Sequence, residues 1–277
     1  MEPGGHRPRS LVHATGIDVL ELGRVVERRS DHLVVRSPGN PQFYWGNFLV
    51  FDDAPGPGDR APWEAAFDEA FAGEPRVRHR AFAWDRADGC LGAAEEEFVA
   101  RGYVLDRLVG LVAEGVLARH SRESREVEVR ALDPCGDEEL WAGVRELQVA
   151  GRAAVFEEES YRAFTLARQT DHRALFRAGL GAWYVALVPD TGEVAGSCGI
   201  VVTAGRGRYQ LVDTAEAHRR RGVCSRLVVE ASRLSAAAFE TQRFVIVADA
   251  GYHALGLYES LGFERREHAS GALLMPG

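Results

Sequence analysis

Residues 217–227 read AHRRRGVCSRL, three successive arginines running into a glycine and then into an apolar pattern of helical period. The strand-like run 209–214 precedes them. A helix is predicted from Val223 to about Phe239, with Val223, Leu227, Val228, Ala231 and Leu234 along one face. A helix start leaves several backbone N–H groups without partners and carries about half a positive charge, which suits a phosphate or pyrophosphate. Gly222 keeps a Cβ out of the anion's way, and Arg219, Arg220 and Arg221 can clamp it bidentately. Taken without its flanks, the same run is a solvated surface stretch.

The chain around this junction has 277 residues and a net charge of -8, with 46% hydrophobic and 27% charged residues. That is the composition of one large or two ordinary globular domains, and the acidic balance argues against general attraction to nucleic acid. No run approaches the ~18 apolar residues of a membrane span, and the N-terminal stretch lacks the apolar core of a signal peptide. A cytoplasmic protein with no membrane partner is expected. Cys90, Cys135, Cys198 and Cys224 form no CxxC pair, so neither a metal site nor a disulfide framework is expected. All 33 basic residues are arginine, which removes lysine as a nucleophile.

A polar segment at 118–130, ARHSRESREVEVR, reads as a linker and divides the chain into 1–125 and 126–277. In the second part, strands are predicted at 127–132, 183–187, 194–202, 209–214 and 243–249, and helices at 137–149, 157–178, 223–239 and 251–262. A closing strand pair is expected around 263–275. The order β-α-α-β-β-β-α-β-α-β predicts an α/β (α+β) fold, a mixed sheet with helices on both faces. The first part echoes the end of the second, with strands at 45–51 and 77–85 and helices at 62–71 and 93–103. When AEEEFVARGYV from Ala94 is set under ALGLYESLGFE from Ala254, Phe98 falls on Tyr258, Gly102 on Gly262 and Tyr103 on Phe263.

With these motifs in place, the sequence over roughly 127–277 resembles the GCN5-related N-acetyltransferase (GNAT) superfamily. The family's pyrophosphate motif is Arg or Gln, two residues, Gly, one residue, Gly or Ala. Arg219, Gly222 and Cys224 stand at those places, cysteine being a departure. The later alanine, tyrosine and LGF are matched by Ala254, Tyr258 and Leu261-Gly262-Phe263, while Gly251 stands where many members have asparagine. The resemblance implies two GNAT-like domains, each a mixed, mostly antiparallel sheet flanked by helices, the first of them degenerate as in tandem members.

It also implies acetyl-CoA as acyl donor. Its pyrophosphate would lie on the amides of Arg221, Gly222, Val223, Cys224 and Ser225, and its pantetheine would pair with Val212, Asp213 and Thr214 on a strand that splays from its neighbour. A backbone amide near Val212 or Asp213 would hold the oxyanion, and Tyr258 would protonate the departing thiolate. Asp213 is the candidate base, with Glu157 and Glu158 toward the acceptor; the glutamates also read as helix N-terminal charge. His172 and His218 read as surface residues. Residues 52–67, DDAPGPGDRAPWEAAF, have no Arg-x-x-Gly pattern, and FYWGNF at 43–48 reads as core rather than as pocket lining.

The expected function is transfer of an acetyl group to a primary amine of a small molecule by direct transfer in a ternary complex. A protein or peptide amine as acceptor, or a non-catalytic acyl-CoA sensor, are the other readings. The acceptor's identity and the oligomeric state are not legible.

Overall fold

The computed structural model describes residues 7–20, 22–119 and 122–276. Residues 1–6, read above for a leader, and positions 120 and 121 of the expected linker lie outside the described residues. In chain order the elements are α1 (Leu11–Asp18), β1 (Val25–Arg28), β2 (His32–Arg36), β3 (Phe48–Phe51), α2 (Arg60–Ala70), β4 (Arg80–Trp84), α3 (Glu95–Ala100) and β5 (Val104–Glu114). Then follow β6 (Glu128–Ala131), α4 (Glu138–Ala150), α5 (Glu158–Arg177), β7 (Gly181–Leu187), β8 (Val194–Thr203), β9 (Arg206–Thr214), α6 (Val223–Phe239), β10 (Arg243–Asp249), α7 (Leu255–Ser260) and β11 (Glu264–Leu274).

From β6 onward the order agrees with the pattern read from the sequence, except that the closing strand pair is one strand, β11. Gly271 makes the difference. A Cβ there would lie 2.8 Å from both the Phe82 carbonyl oxygen and the Trp45 ring, so glycine lets the strand run straight through a crowded ladder position instead of turning. In the first half, α1, β1, β2 and β5 carry no signal that sequence reading used. Six of the eight residues of α1 are buried, so it has no polar face to give it a period.

The chain forms two compact units. The first holds the residues through Gly110 together with 247–252 and 266 onward; the second holds 111–246 and 253–265. In the first, β1-β2-β3 are antiparallel, β3 pairs parallel with β4, and β4 pairs antiparallel with β11. In the second, β6-β7-β8-β9 are antiparallel and β9 pairs parallel with β10. Residues 247–252 and 266 onward, which follow the expected boundary near residue 125, group with the first unit.

The repeat expected from the sequence is present in the backbone. Gly102 and Gly262 take φ 97° and 99°, and each ends its short helix in the left-handed region. Tyr103 N–H donates to Phe98 O at 3.0 Å and Phe263 N–H to Tyr258 O at 3.1 Å. The first unit packs on an aromatic core in which Trp63 stacks on Phe51 at 3.7 Å and touches Phe82 and Phe98. From the FYWGNF run, Phe48 joins the apolar core behind this sheet, with Trp45 packed against it.

Deleting the chain from Gly271 onward should therefore destabilise the first unit, although the cut is remote in sequence. The loss of the Gly271 to Leu274 ladder, at ~1 kcal/mol per hydrogen bond, should expose residues 80–84 to limited proteolysis while α6 stays protected. Equal protection of both segments would contradict the strand assignment.

Candidate active site

β9 is built in two parts. Its antiparallel pairing to β8 runs from Thr203↔Arg206 to Gly199↔Gln210 and resumes at Ser197↔Asp213, so Cys198 alone faces both Leu211 and Val212. Leu211 takes φ 46°, a conformation that a branched aliphatic residue adopts only when its surroundings impose it. A bulge of this kind leaves one backbone unit out of the ladder and bends the strand. On the other edge, the parallel pairing with β10 stops at Arg208↔Val245, while β9 continues to Thr214. From Tyr209 onward that edge has no ladder partner among the described residues. The expected splay is present at the expected strand.

The strand leads through Ala215 to the arginine run. Arg219 is extended and its Nε donates to Thr214 O at 3.3 Å; Arg220 sits in the left-handed region at φ 59°; Gly222, at φ 76°, is the N-cap of α6. No side chain caps α6, so the N–H groups of Val223, Cys224 and Ser225 have no intrahelical acceptor. The next, Arg226 N–H, donates to Gly222 O at 3.0 Å. An anion is the natural partner for such a start.

Gly222 also carries a packing contact that the sequence did not mark. A Cβ built on it would lie 1.9 Å from Arg122 O and 2.8 Å from Ser124 N, and Ser124 N–H donates to Gly222 O at 3.1 Å. Its positive φ and the linker backbone packed on it both require a glycine. Two of the flanking cations are engaged by the same segment, Arg221 with Glu126 at 2.5 Å and Arg226 with Glu123 at 3.3 Å.

Asp213 lies at the bulge, partly exposed. Burial pushes its carboxyl up to about 6, against the opposing pull of Arg219. Across the ladder from it, the Ser197 hydroxyl is fully buried with no hydrogen-bond partner among the described residues, a feature that no sequence signal marks. Burial raises the Tyr161 phenol, and the Asp213 charge adds to that rise. Tyr258 is buried, its ring 6.2 Å from Phe263 in an edge contact. The Cys224 thiol is pushed up to about 11 by burial, which keeps it protonated at neutral pH.

The two candidate glutamates have other work. Glu157 caps α5, its carboxylate accepting from Glu159 N–H at 2.9 Å and Ser160 N–H at 2.7 Å, and those bonds hold it below the usual carboxylate range. Glu158 pairs with Arg152 at 2.9 Å and Arg162 at 3.4 Å. His172 is not a surface residue. It is buried 5.2 Å from Trp183 and 3.4 Å from the Arg168 guanidinium, and desolvation holds it well below the usual imidazole range. His218 pairs with Glu193 at 3.1 Å. Among the described residues no group of three His, Cys, Asp or Glu is placed to hold a metal ion, and no helix is long and apolar enough to cross a membrane.

Residues 180–265, which contain both motifs, match the model of the acetyltransferase (GNAT) domain. The chain carries a GNAT acetyltransferase domain. Its fold over nearly the whole length is also that of solved proteins with low sequence identity. A conserved protein of unknown function from Staphylococcus epidermidis is 14% identical with a TM-score of 0.71, over 97% of this chain and 99% of that one. A GCN5-related N-acetyltransferase from Kribbella flavida is 15% identical with a TM-score of 0.63, over 95% and 92%. A tandem GNAT protein from the clavulanic acid biosynthesis pathway is 15% identical with a TM-score of 0.55, over 98% and 90%. No curated protein sequence matches the chain. The tandem GNAT fold read from the repeat is the fold the chain adopts.

The corresponding loop of the first unit, between β3 and α2, is arranged differently. Its amides are already satisfied by acids: Ala54 N–H by Asp53 at 3.2 Å, Gly56 N–H by Asp59 at 2.7 Å, and Gly58 N–H by Glu97 at 2.8 Å. The start of α2 has no side-chain cap either, but its third residue is Pro62, which has no N–H to offer an anion. Phe98 occupies the position corresponding to Tyr258 and is buried against Tyr103.

Replacing Gly222 by Ala should lower stability by about 2 kcal/mol or more, since both the positive φ and the contact with Arg122 O oppose a side chain. Thermal unfolding without ligand tests this. An unchanged midpoint would mean that the linker does not pack on Gly222.

Proposed function

We propose that the GNAT domain is an acetyl-CoA-dependent N-acetyltransferase that acetylates a primary amine of a small molecule by direct transfer in a ternary complex. The observation that carries this reading is the junction itself: a bulged strand with an open edge, leading into a helix start with no side-chain cap and with Arg219, Arg220 and Arg221 around it. The amides of Val223, Cys224 and Ser225 would receive the pyrophosphate, and the free edge at Val212, Asp213 and Thr214 would pair with the pantetheine. The first unit, with its loop amides satisfied internally, would have a structural role. A cytoplasmic location belongs to the same proposal.

The thioester supplies the acyl group and a good leaving group. At the bulge, a backbone N–H left out of the ladder would donate to the oxyanion. Asp213, with a carboxyl at about 6, is ionised at neutral pH yet basic enough to take a proton from an ammonium through water. Tyr258 would protonate the departing thiolate. The protonated state of Cys224 favours direct attack by the amine over an acyl-cysteine intermediate. With Glu157 engaged as a helix cap, Asp213 is also the carboxylate left to attract a cationic acceptor.

Thiol release across a panel of primary amines, with CoA binding measured in parallel, tests the proposal. Tyr258→Phe should reduce kcat by about a hundredfold and leave CoA binding intact; an unchanged rate would make Tyr258 a packing residue. Failure of the wild-type protein to bind CoA would end the cradle reading.

The Asp213 carboxyl gives a pH test with two signs. Activity should fall as pH drops through about 6, and Asp213→Asn should remove that limb along with most of the rate. Stability should change the other way. A carboxyl raised in the fold binds its proton more tightly there than in the unfolded chain, so its contribution declines as pH rises from the ordinary carboxylate range to about 6. Asp213→Asn should therefore be more stable than wild type at pH 7.5, and that gap should close near pH 4. A gap independent of pH would show that Asp213 is not desolvated.

A further inference from the structure

The segment before β6 lies on the helix start that the proposed function assigns to the pyrophosphate, and two of its carboxylates, Glu123 and Glu126, pair with arginines there. Ser124 N–H donates to Gly222 O at 3.1 Å, and the Arg122 carbonyl oxygen occupies the space of a Gly222 Cβ. Glu123, with its side chain 8% exposed, pairs with Arg226 at 3.3 Å. Glu126 pairs with Arg221 at 2.5 Å, and both of those side chains are about half exposed or more, at 65% and 49%. The inner contacts therefore hold the segment on the cradle, while the outer pair is solvated and weak enough to exchange.

We propose that the linker carboxylate of Glu126 is a built-in competitor for the acyl-CoA pyrophosphate: it neutralises Arg221 in the free protein, and acyl-CoA binding transfers Arg221 from Glu126 to the phosphate. The inference rests on the pyrophosphate site of the proposed function. Arg219 is hydrogen-bonded to Thr214 O, and Arg226 is held by the buried Glu123, so Arg221 is the cation whose partner is both acidic and solvent-exposed. A phosphate oxygen offers it a stronger charge-assisted bond than an exposed carboxylate. The linker thereby sets the affinity for acyl-CoA.

A double-mutant cycle tests it. CoA is titrated calorimetrically into wild type, Glu126→Gln, Arg221→Gln and the double variant, with pantetheine, which lacks the pyrophosphate, as control probe. Glu126→Gln should tighten CoA binding about two- to fivefold, the range of an exposed ion pair. It should leave pantetheine binding unchanged and have no effect in the Arg221→Gln background. Thermal midpoints verify folding of each variant, and the exposed position of Glu126 makes its amide a mild change. Unchanged or weaker CoA binding by Glu126→Gln, with wild type binding normally, overturns the inference and leaves the proposed function standing. Absence of CoA binding by every variant overturns both.

Discussion

Three residue pairs, Arg206↔Arg243, Gly207↔Phe244 and Arg208↔Val245, join β9 to β10, and the site depends on the ladder ending there. A parallel pair that ran to the end of both strands would satisfy the edge of β9 and close the space beside it. Instead, the bulge at Leu211 bends β9 away after Gln210, and the strand delivers the chain to Arg219 in an extended conformation. The left-handed backbone at Arg220 and Gly222 then turns it into α6. Edge, anion cradle and Asp213 all follow from one departure from regular pairing.

Much of this was legible because the residues concerned have local signatures. The apolar stripe of α6, the RFVIVAD strand and the helix ending in Gly262 each follow from period and turn chemistry, and their order fixes the fold class. The return of the chain after α7 to pair β11 with β4 was not legible, because pairing partners remote in sequence leave no local pattern. Gly271, which could have been a turn, is instead a close-packed ladder position. His172 lacks a legible signal for a related reason: in α5 it stands between Asp171 and Arg173 and reads as polar surface, while the fold buries it beside Trp183. Glu157 was legible in kind, since an acid before a helix serves equally as a cap or as a ligand, and the geometry decides for the cap.

The two units solve the same local problem with different chemistry. Both carry a strand, a loop, a helix and, later, a short helix closed by a left-handed glycine. In the first unit the loop amides are taken by Asp53, Asp59 and Glu97, and the aromatic packing of Trp63 and Phe98 fills the interior. In the second the linker acids Glu123 and Glu126 bind arginine side chains rather than amides, and the first turn of α6 contains no proline where α2 has Pro62. The carboxylates of the first unit are thus tethered to its own loop amides, and those of the second to arginine side chains.

The central claim is that the α6 start is the anion site and that the equivalent loop of the first unit is not. Amide hydrogen exchange with and without CoA measures this directly, residue by residue. The account predicts slower exchange at Val223, Cys224 and Ser225 on adding CoA, with no change at Ala54, Gly56 and Gly58. Protection in the first-unit loop, or in neither loop at saturating CoA, would contradict it.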